Sequence, residues 1–228
     1  NSFNHYALGA VGEWMYNYSL GIQRDVKHPG FKHFILRPEF GGTMTYAKGN
    51  YQSIHGNIES GWEISHNGDL FTYEVTVPAN TTATLYLPAV SESMVLEGEV
   101  LASNAEGIQF VKYEDGRAVY ELQSGSYVFH SMIKDMEDPR EPSTSEIKAL
   151  VEQFEGEGEF ANDEAPRTLL LHLTAVNHYE NQEEADKIVK HMGGFRTLLN
   201  YQKDNGLISD AAYLMLMIQA NAVIEKWE

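Results

Sequence analysis

The chain has 228 residues, 43% of them hydrophobic and 21% charged, so it is long enough for more than one domain with a buried core. Its 16 Lys and Arg against 33 Asp and Glu give a formal net charge of −17, which repels nucleic acid phosphates and anionic membrane surfaces. Cysteine is absent, which excludes disulfides, zinc–thiolate sites and thiol nucleophiles, and the apolar runs are too short to span a bilayer. We therefore expect a globular chain that binds neither nucleic acid nor membranes.

The start of the sequence predicts a helix that belongs inside a larger body. Residues 1–5 (NSFNH) show neither an initiator methionine nor a basic leader with an apolar core, so we interpret the sequence as a fragment. In residues 6–22 apolar and aromatic side chains cover most of a helical circumference, which is typical of a buried helix. Gly21 can end this helix, and His28-Pro29-Gly30 makes its continuation implausible. Such a helix needs cover, either from the domain that follows or from a second chain in a dimer.

The middle of the sequence, residues 27–133, predicts β-strands. Residues 71–77 (FTYEVTV) alternate apolar and polar side chains, as a half-buried strand does. Asn67-Gly68 and Asp115-Gly116 each lie between two such runs and predict hairpins. Further strands are predicted at residues 33–37, 84–87, 95–101 and 126–132. Short strands with frequent turns and no helix between them favour an antiparallel β-sandwich. Four aromatic residues alternate as core residues would: Trp62, Tyr73, Tyr113 and Tyr120.

The last part of the sequence predicts a linker and a small helical bundle. Residues 134–143 are polar with two prolines, which is typical of a linker. Helices are predicted at residues 144–155, 162–181, 183–204 and from 209 onward, with Asn162 and Ser209 as N-caps. Four short-looped helices indicate an antiparallel bundle. The chain has 7 basic and 14 acidic residues up to Ser131 and 9 and 19 beyond it, so the acidity belongs mainly to this bundle and says little about a substrate.

The histidines and acidic residues do not show the spacing of a metal or acid–base site. No His-x-His, His-Glu-x-x-His or EF-hand pattern occurs. His172 and His178 lie six positions apart on one helix, almost half a turn out of phase, so shared coordination is not expected. Residues 155–159 (EGEGE) resemble a calcium loop, but a solvated turn between helices explains them. We predict no metal and no cofactor. Four strand carboxylates are expected to point to water: Glu59, Glu63, Glu74 and Glu121.

One histidine stands out by its position. His5 directly precedes the apolar helix, where the end of a packed helix presents polar groups to a cavity. Its plain interpretation is an ordinary residue at a helix start. Glu13 and Trp14 raise the same question further along the helix. Glycoside hydrolysis of the usual kind needs two carboxylates, and this helix offers only one candidate.

Four segments resemble the bacterial α-L-rhamnosidases of glycoside hydrolase family 78. They are residues 1–16 (NSFNHYALGAVGEWMY), which is similar to a segment near the end of the catalytic barrel, 30–38 (GFKHFILRP), 51–58 (YQSIHGNI) and 77–88 (VPANTTATLYLP), in the family's order. The helical end, residues 147–227, is similar to the module called FIMAH that ends some Gram-positive carbohydrate enzymes.

The resemblance implies a multidomain α+β fold. Residues 1–26 would be the remnant of an (α/α)6 catalytic barrel, 27–133 an antiparallel β-sandwich, 134–143 a linker and 144–228 an all-α helical bundle. Family members are inverting hydrolases that use a general acid and a general base carboxylate and need no metal. Both carboxylates lie upstream of the segment matched here, so the resemblance implies no catalytic residue in this chain and an inactive fragment.

The resemblance also gives residue roles. The family's sugar-contacting histidine corresponds to His5, which is therefore expected to contact a rhamnoside substrate in the complete enzyme. Glu13 matches a position occupied by an acid that is not assigned as the base, so it keeps its plain interpretation. For the compartment, an extracellular or cell-surface location in a bacterium is favoured over the cytoplasm.

Two functions of different class stay open for the chain. It is either the accessory part of a rhamnoside hydrolase or a non-catalytic module that binds a glycan or attaches to another protein. An exposed Trp or Tyr on one sandwich face would favour sugar binding, because pyranose rings stack on flat aromatic surfaces. The acidic helical bundle is a candidate for a protein partner, whose identity the sequence does not indicate.

Overall fold

The computed structural model describes residues 6–65, 67–133 and 141–228, and the chain forms two compact units, residues 1–136 and 137–228. His5 and most of the predicted linker, residues 134–140, lie outside the described residues. Within the described parts, no helix combines the length and apolar character needed to cross a membrane. Each unit is described by itself below.

The first unit consists of a short helix and a set of strands. Helix α1 (Tyr6–Trp14) runs directly into a π-helical segment (Met15–Ser19). The strands of the described residues are β1 (Ile22–Arg24), β2 (His33–Leu36), β3 (Tyr46–Ser53), β4 (Gly56–Ile64), β5 (Leu70–Val77), β6 (Thr82–Pro88), β7 (Val95–Glu97), β8 (Val100–Leu101), β9 (Ile108–Glu114), β10 (Arg117–Leu122) and β11 (Gly125–Met132). Two 3-10 turns, Glu92–Met94 and Ala102–Asn104, flank β7 and β8.

These strands form the two layers of a β-sandwich. One sheet has the order β1-β2-β6-β10-β9 and the other β3-β4-β5-β11-β7-β8. All pairs are antiparallel except β2 and β6, which run parallel with His33 opposite Thr82. The predicted sandwich is confirmed, but its purely antiparallel pairing is wrong at this pair. The chain leaves the first sheet after β2, builds three strands of the second and returns, and such a long crossover permits a parallel neighbour.

Inward side chains of both sheets form one hydrophobic core. Trp62, Tyr73 and Tyr120 lie in it as predicted. Tyr113 does not, since its side chain is 41% exposed. It lies on β9, the edge strand of its sheet, where only one neighbouring strand is available to cover it. The other large buried rings of the core are Phe34, Phe71, Tyr127 and Phe129.

The turns follow their local sequence, whereas β3 does not follow from an apolar pattern. Asp115 and Gly116 have φ values of 50° and 69°, as a type I′ hairpin turn requires, and they join β9 to β10. Strand β3 (YAKGNYQS) was not predicted, because its inward-facing residues are either small or carry a polar group at the end of the side chain. Gly49 shows why: a Cβ there would lie 2.7 Å from a methyl carbon of Leu20.

The second unit is the predicted bundle of helices. In its described residues α2 spans Thr144–Glu157, α3 Glu164–Glu180, α4 Ala185–Asp204 and α5 Asp210–Trp227. The Ser209 hydroxyl accepts a hydrogen bond from the amide of Ala212 at 3.2 Å, which confirms this N-cap. The Asn162 side chain accepts from the amides of Glu164 and Ala165, both at 3.0 Å. Helix α5 is buried around nearly its whole circumference.

Candidate functional site

The end of the N-terminal helix is hydrogen-bonded into the interior of the sandwich. The indole nitrogen of Trp62 donates to the carbonyl of Ser19 at 2.6 Å, and the Ser60 hydroxyl donates to the carbonyl of Leu20 at 2.6 Å. The Tyr73 hydroxyl lies 3.0 Å from the Ser60 oxygen. Because Ser60 has only one proton and gives it to Leu20, Tyr73 must be the donor to Ser60. We call these five residues the helix–sheet joint.

Burial keeps this joint in one protonation state. Ser60, Trp62 and Tyr73 are almost completely buried. Burial raises the pKa of the Tyr73 phenol well above its ordinary value, so the group stays a donor at physiological pH. The last carbonyls of a helix have no partner within the helix, and in an apolar core each would cost free energy if left unpaired. The joint supplies donors for two of them.

Gly21 allows the chain to turn from the joint into β1. Its φ of 72° is left-handed, as predicted for the residue that ends the helix. A Cβ at this position would lie 2.2 Å from the backbone nitrogen of Pro38. The Gly21 carbonyl accepts from the Arg37 amide and the Tyr18 carbonyl from the Glu39 amide, both at 2.8 Å. Two backbone segments therefore pass each other too closely for any side chain between them.

A buried arginine fixes the segment that lies against Gly21. The guanidinium of Arg117 donates to the carbonyls of Pro38 at 3.0 Å and Tyr86 at 3.1 Å, and to the Glu39 carboxylate at 2.8 Å. Burial lowers the pKa of Arg117, and the neighbouring Glu39 carboxylate opposes this shift. An arginine stays charged in this situation, so all three contacts persist. Sequence reasoning did not identify Arg117, because its partners lie far away along the chain.

The apolar surface of the helix itself is uncovered. Its side chains were predicted to be buried in a larger body, but within this chain five of them are between 42% and 57% exposed. They are Val11, Trp14, Met15, Tyr16 and Tyr18. The rings of Trp14 and Tyr18 stack with centroids 6.3 Å apart, which makes a continuous aromatic surface. The joint therefore holds this segment at one end while its apolar side faces solvent.

His5 lies outside the described residues, so its role as a substrate contact stays a prediction. The carboxylates singled out from the sequence are exposed as expected, with Glu121 as the exception. Glu13 is exposed on α1. Glu121 is half-buried and accepts a hydrogen bond from the Thr84 hydroxyl at 2.6 Å. Three carboxylates of the other sheet are exposed: Glu59, Glu63 and Glu74.

A polar network that the sequence did not predict lies on the outside of the five-stranded sheet. His33 contacts the hydroxyls of Thr82 at 2.7 Å and Thr84 at 2.9 Å. Because Thr84 gives its proton to Glu121, the Nε2 of His33 must carry a proton and donate to Thr84. An open cavity of about 710 Å³ lies beside this network. Parallel pairing of β2 with β6 brings these side chains together from distant parts of the sequence.

The bundle histidines make structural contacts. His172 Nε2 donates to the carbonyl of His191 at 2.8 Å, and the His191 ring stacks on Tyr179 with centroids 4.9 Å apart. Gly158, within the EGEGE segment, has a left-handed φ of 80° and ends α2. In the described ranges no three His, Asp or Glu side chains are grouped so that they could hold a metal ion.

The fold and the joint define a class of protein: a β-sandwich that fixes the end of a helix, followed by a separate helical unit. Residues 21–101 match the family model described as bacterial alpha-L-rhamnosidase C-terminal domain, and residues 144–225 match the FIMAH domain. Both resemblances stated from the sequence, to the C-terminal part of α-L-rhamnosidases and to the FIMAH module, are confirmed.

Curated proteins similar to this chain are named alpha-L-rhamnosidase. The chain is 40% identical over 129 residues to an alpha-L-rhamnosidase of Streptomyces avermitilis, covering 57% of this chain and 11% of that protein. It is 36% identical over 132 residues to one of Formosa agariphila, covering 58% and 14%. A crystal structure of the Streptomyces avermitilis alpha-L-rhamnosidase complexed with L-rhamnose is 38% identical, with a TM-score of 0.49, over 57% of this chain and 12% of that one. The chain thus spans little more than a tenth of the length of these relatives.

Removal of the hydroxyl group of Ser60 or of Tyr73 should destabilise the first unit. Ser60→Ala leaves the buried Leu20 carbonyl and the Tyr73 phenol without this partner, and we expect the free energy of unfolding to fall by about 2 kcal/mol. Tyr73→Phe leaves only the Ser60 oxygen without its donor, so we expect a loss of about 1 kcal/mol. Urea unfolding followed by tryptophan fluorescence measures both.

The background and the control make this measurement specific. A common Trp227→Phe background removes the tryptophan of the second unit, so that Trp14 and Trp62 report the first. Tyr51→Phe, on β3 outside the joint, is the matched control and should change stability by less than about 0.5 kcal/mol. Equal losses of unfolding free energy from Tyr73→Phe and Tyr51→Phe would contradict the hydrogen bond from Tyr73 to Ser60.

Gly21→Ala should be far more damaging than an alanine at another left-handed glycine. Gly68 has a φ of 78° and no atom within 4 Å of a Cβ, so Gly68→Ala should cost about 1 kcal/mol from the backbone alone. Gly21→Ala adds a collision with the backbone of Arg37 and Pro38, and we expect a loss of at least about 3 kcal/mol in the same unfolding experiment. A similar loss from both variants would show that the two segments can move apart freely.

Proposed function

We propose that this chain is the C-terminal part of a bacterial α-L-rhamnosidase and that α1 is the last helix of the enzyme's (α/α)6 barrel. The sandwich then serves as the domain that holds this helix in position. One observation carries the proposal: the matched domain begins at residue 21, directly after Ser19 and Leu20, the helix end that the joint fixes, and this helix has an uncovered apolar side. The names of the relatives supply the activity.

The uncovered side of the helix supports the same assignment. Burial of a large apolar or aromatic side chain stabilises a protein by about 1.5–3 kcal/mol, so docking of the five exposed side chains against further helices would contribute several kcal/mol. The joint directs this surface, because its three hydrogen bonds fix the helix end against β4 and β5. The sandwich would therefore stabilise the barrel by presenting its last helix in one orientation.

The proposed chemistry uses groups on both sides of this junction. An inverting hydrolase protonates the leaving oxygen with one carboxylic acid and activates a water with a carboxylate, the two about 6.5–9.5 Å apart. Those carboxylates would come from the upstream barrel. The contribution of this chain would be His5, whose neutral imidazole can donate to one rhamnose hydroxyl and accept from another. The sandwich would fix the helix that begins at Tyr6, the residue after His5.

The isolated 228-residue chain should not hydrolyse an aryl α-L-rhamnoside, because it lacks the proposed carboxylate pair. The measurement is release of p-nitrophenol from p-nitrophenyl α-L-rhamnoside by the purified chain. The complete enzyme, with its upstream sequence restored, is the positive control and should be active. Turnover by the isolated chain would disprove the need for upstream carboxylates, and an inactive complete enzyme would refute the proposed function.

In the complete enzyme, His5→Ala should lower kcat/KM for the same substrate. Loss of hydrogen bonds to a sugar hydroxyl costs about 1–3 kcal/mol, which corresponds to a decrease of about 5-fold to 150-fold. His178→Ala, on the surface of the bundle, is the matched control and should leave kcat/KM unchanged. If both variants retain full kcat/KM, His5 does not contact the substrate.

A further inference from the structure

The outer face of the six-stranded sheet carries an ordered set of polar side chains around one glycine. Gly61 lies on β4, opposite Lys48 of β3 and Glu74 of β5. We call the outward side chains around it the Gly61 face. They are Tyr46, Lys48 and Asn50 of β3, Glu59 and Glu63 of β4, Thr72, Glu74 and Thr76 of β5, and Ser126 and the apolar Val128 of β11.

We propose that the Gly61 face binds a neutral carbohydrate. This proposal uses no residue of α1 or of the helix–sheet joint, so it does not rest on the proposed function. It concerns a second site, which would hold a sugar without chemical change.

The shape of the face suits a sugar ring. Gly61 has no side chain and is itself buried, because the Lys48 and Glu74 side chains meet across it. A cavity of about 670 Å³ lies between β3, β4, β5 and β11. Ligand cavities commonly have about 300–1,000 Å³. A Cβ at Gly61 would lie 3.2 Å from the Cγ of Lys48 and would fill part of the floor. A smaller depression of about 140 Å³ adjoins it beyond the pair formed by Lys48 and Glu74, and Tyr46 lines it.

An exposed aromatic ring lies at the margin of these depressions. Tyr46 is 71% exposed, more than any other tyrosine from Tyr16 onward. A flat ring on an open surface can stack against the C–H side of a pyranose. The two large rings of the neighbouring strands, Trp62 and Tyr73, point inward and are buried, so Tyr46 is the ring that this face offers.

The polar groups of the face are held in position before any ligand binds. The Glu59 carboxylate accepts from the Asn57 amide at 3.0 Å and from the Thr76 hydroxyl at 3.1 Å. The Lys48 ammonium donates to the Glu74 carboxylate at 3.0 Å. Side chains that are already ordered lose less entropy when a ligand binds. Each carboxylate oxygen has lone pairs left for a sugar hydroxyl.

The charges of the face select the class of sugar. Three carboxylates, Glu59, Glu63 and Glu74, face one ammonium, Lys48, which already pairs with Glu74. Hydroxyl groups donate charge-assisted hydrogen bonds to carboxylates, whereas the carboxylate of a uronic acid would be repelled. The ligand is therefore a neutral polyhydroxylated sugar.

The test is titration of the full 228-residue chain with L-rhamnose, D-galactose and D-galacturonate. Binding is measured by saturation-transfer NMR and by calorimetry. We expect at least one neutral sugar to bind with a Kd of about 1 mM, and galacturonate to bind at least about tenfold more weakly than galactose. Absence of binding by both neutral sugars, or equal binding of galactose and galacturonate, overturns the proposal.

Paired variants locate the site. Tyr46→Ala removes the stacking ring and Glu59→Gln replaces a carboxylate by a weaker acceptor, and each should weaken binding by about tenfold or more. Tyr201→Ala, which removes an exposed tyrosine of α4, is the matched control and should leave the Kd unchanged. Full affinity in both Tyr46→Ala and Glu59→Gln overturns the assignment to this face. Rhamnosidase activity of the complete enzyme is a separate readout, so either proposal can fail without the other.

Discussion

The helix–sheet joint sets the register on which the first unit depends. Ser60 and Trp62 reach the helix only because both point inward from β4, and Tyr73 reaches Ser60 only because β5 pairs with β4 in the observed register. Side chains alternate along a strand, so a slip of one residue would turn Glu59, Gly61 and Glu63 into the core. The buried hydrogen bonds of the joint thus specify the register of the sheet more strictly than apolar burial alone would.

Local signals in the sequence were sufficient for hairpins and helices. Asp115-Gly116 and the Ser209 cap each determine the backbone of a few residues, and both have the predicted conformation. Pairing between distant strands could not be predicted in this way. The parallel neighbours β2 and β6 and the strand β3 depend on contacts across the sandwich, for example the contact of Gly49 with Leu20.

The candidate site was predictable only where a resemblance reached it. His5 came from the resemblance, whereas the joint was not recognised because Ser60 lies just before residues 61–66, which precede Asn67-Gly68 and were interpreted as a strand. A serine between Ile58 and Trp62, at an inward position, is the signal that could have identified a buried hydrogen bond. Arg117 directly follows a hairpin turn, where a surface charge is the ordinary expectation, and its partner Pro38 is 79 positions away.

Strand β4 can carry both proposed functions because its two faces are chemically separate. Its inward residues, Ser60 and Trp62, hold the helix, and its outward residues, Glu59 and Glu63, belong to the Gly61 face. Neighbouring side chains on a strand point in opposite directions, so a change at Glu59 leaves the joint in place and a change at Ser60 acts through the core. Between them Gly61 lies beneath the Lys48 and Glu74 side chains, which meet across it. One strand can therefore support both the proposed connection to a catalytic barrel and the proposed ligand surface without conflict between them.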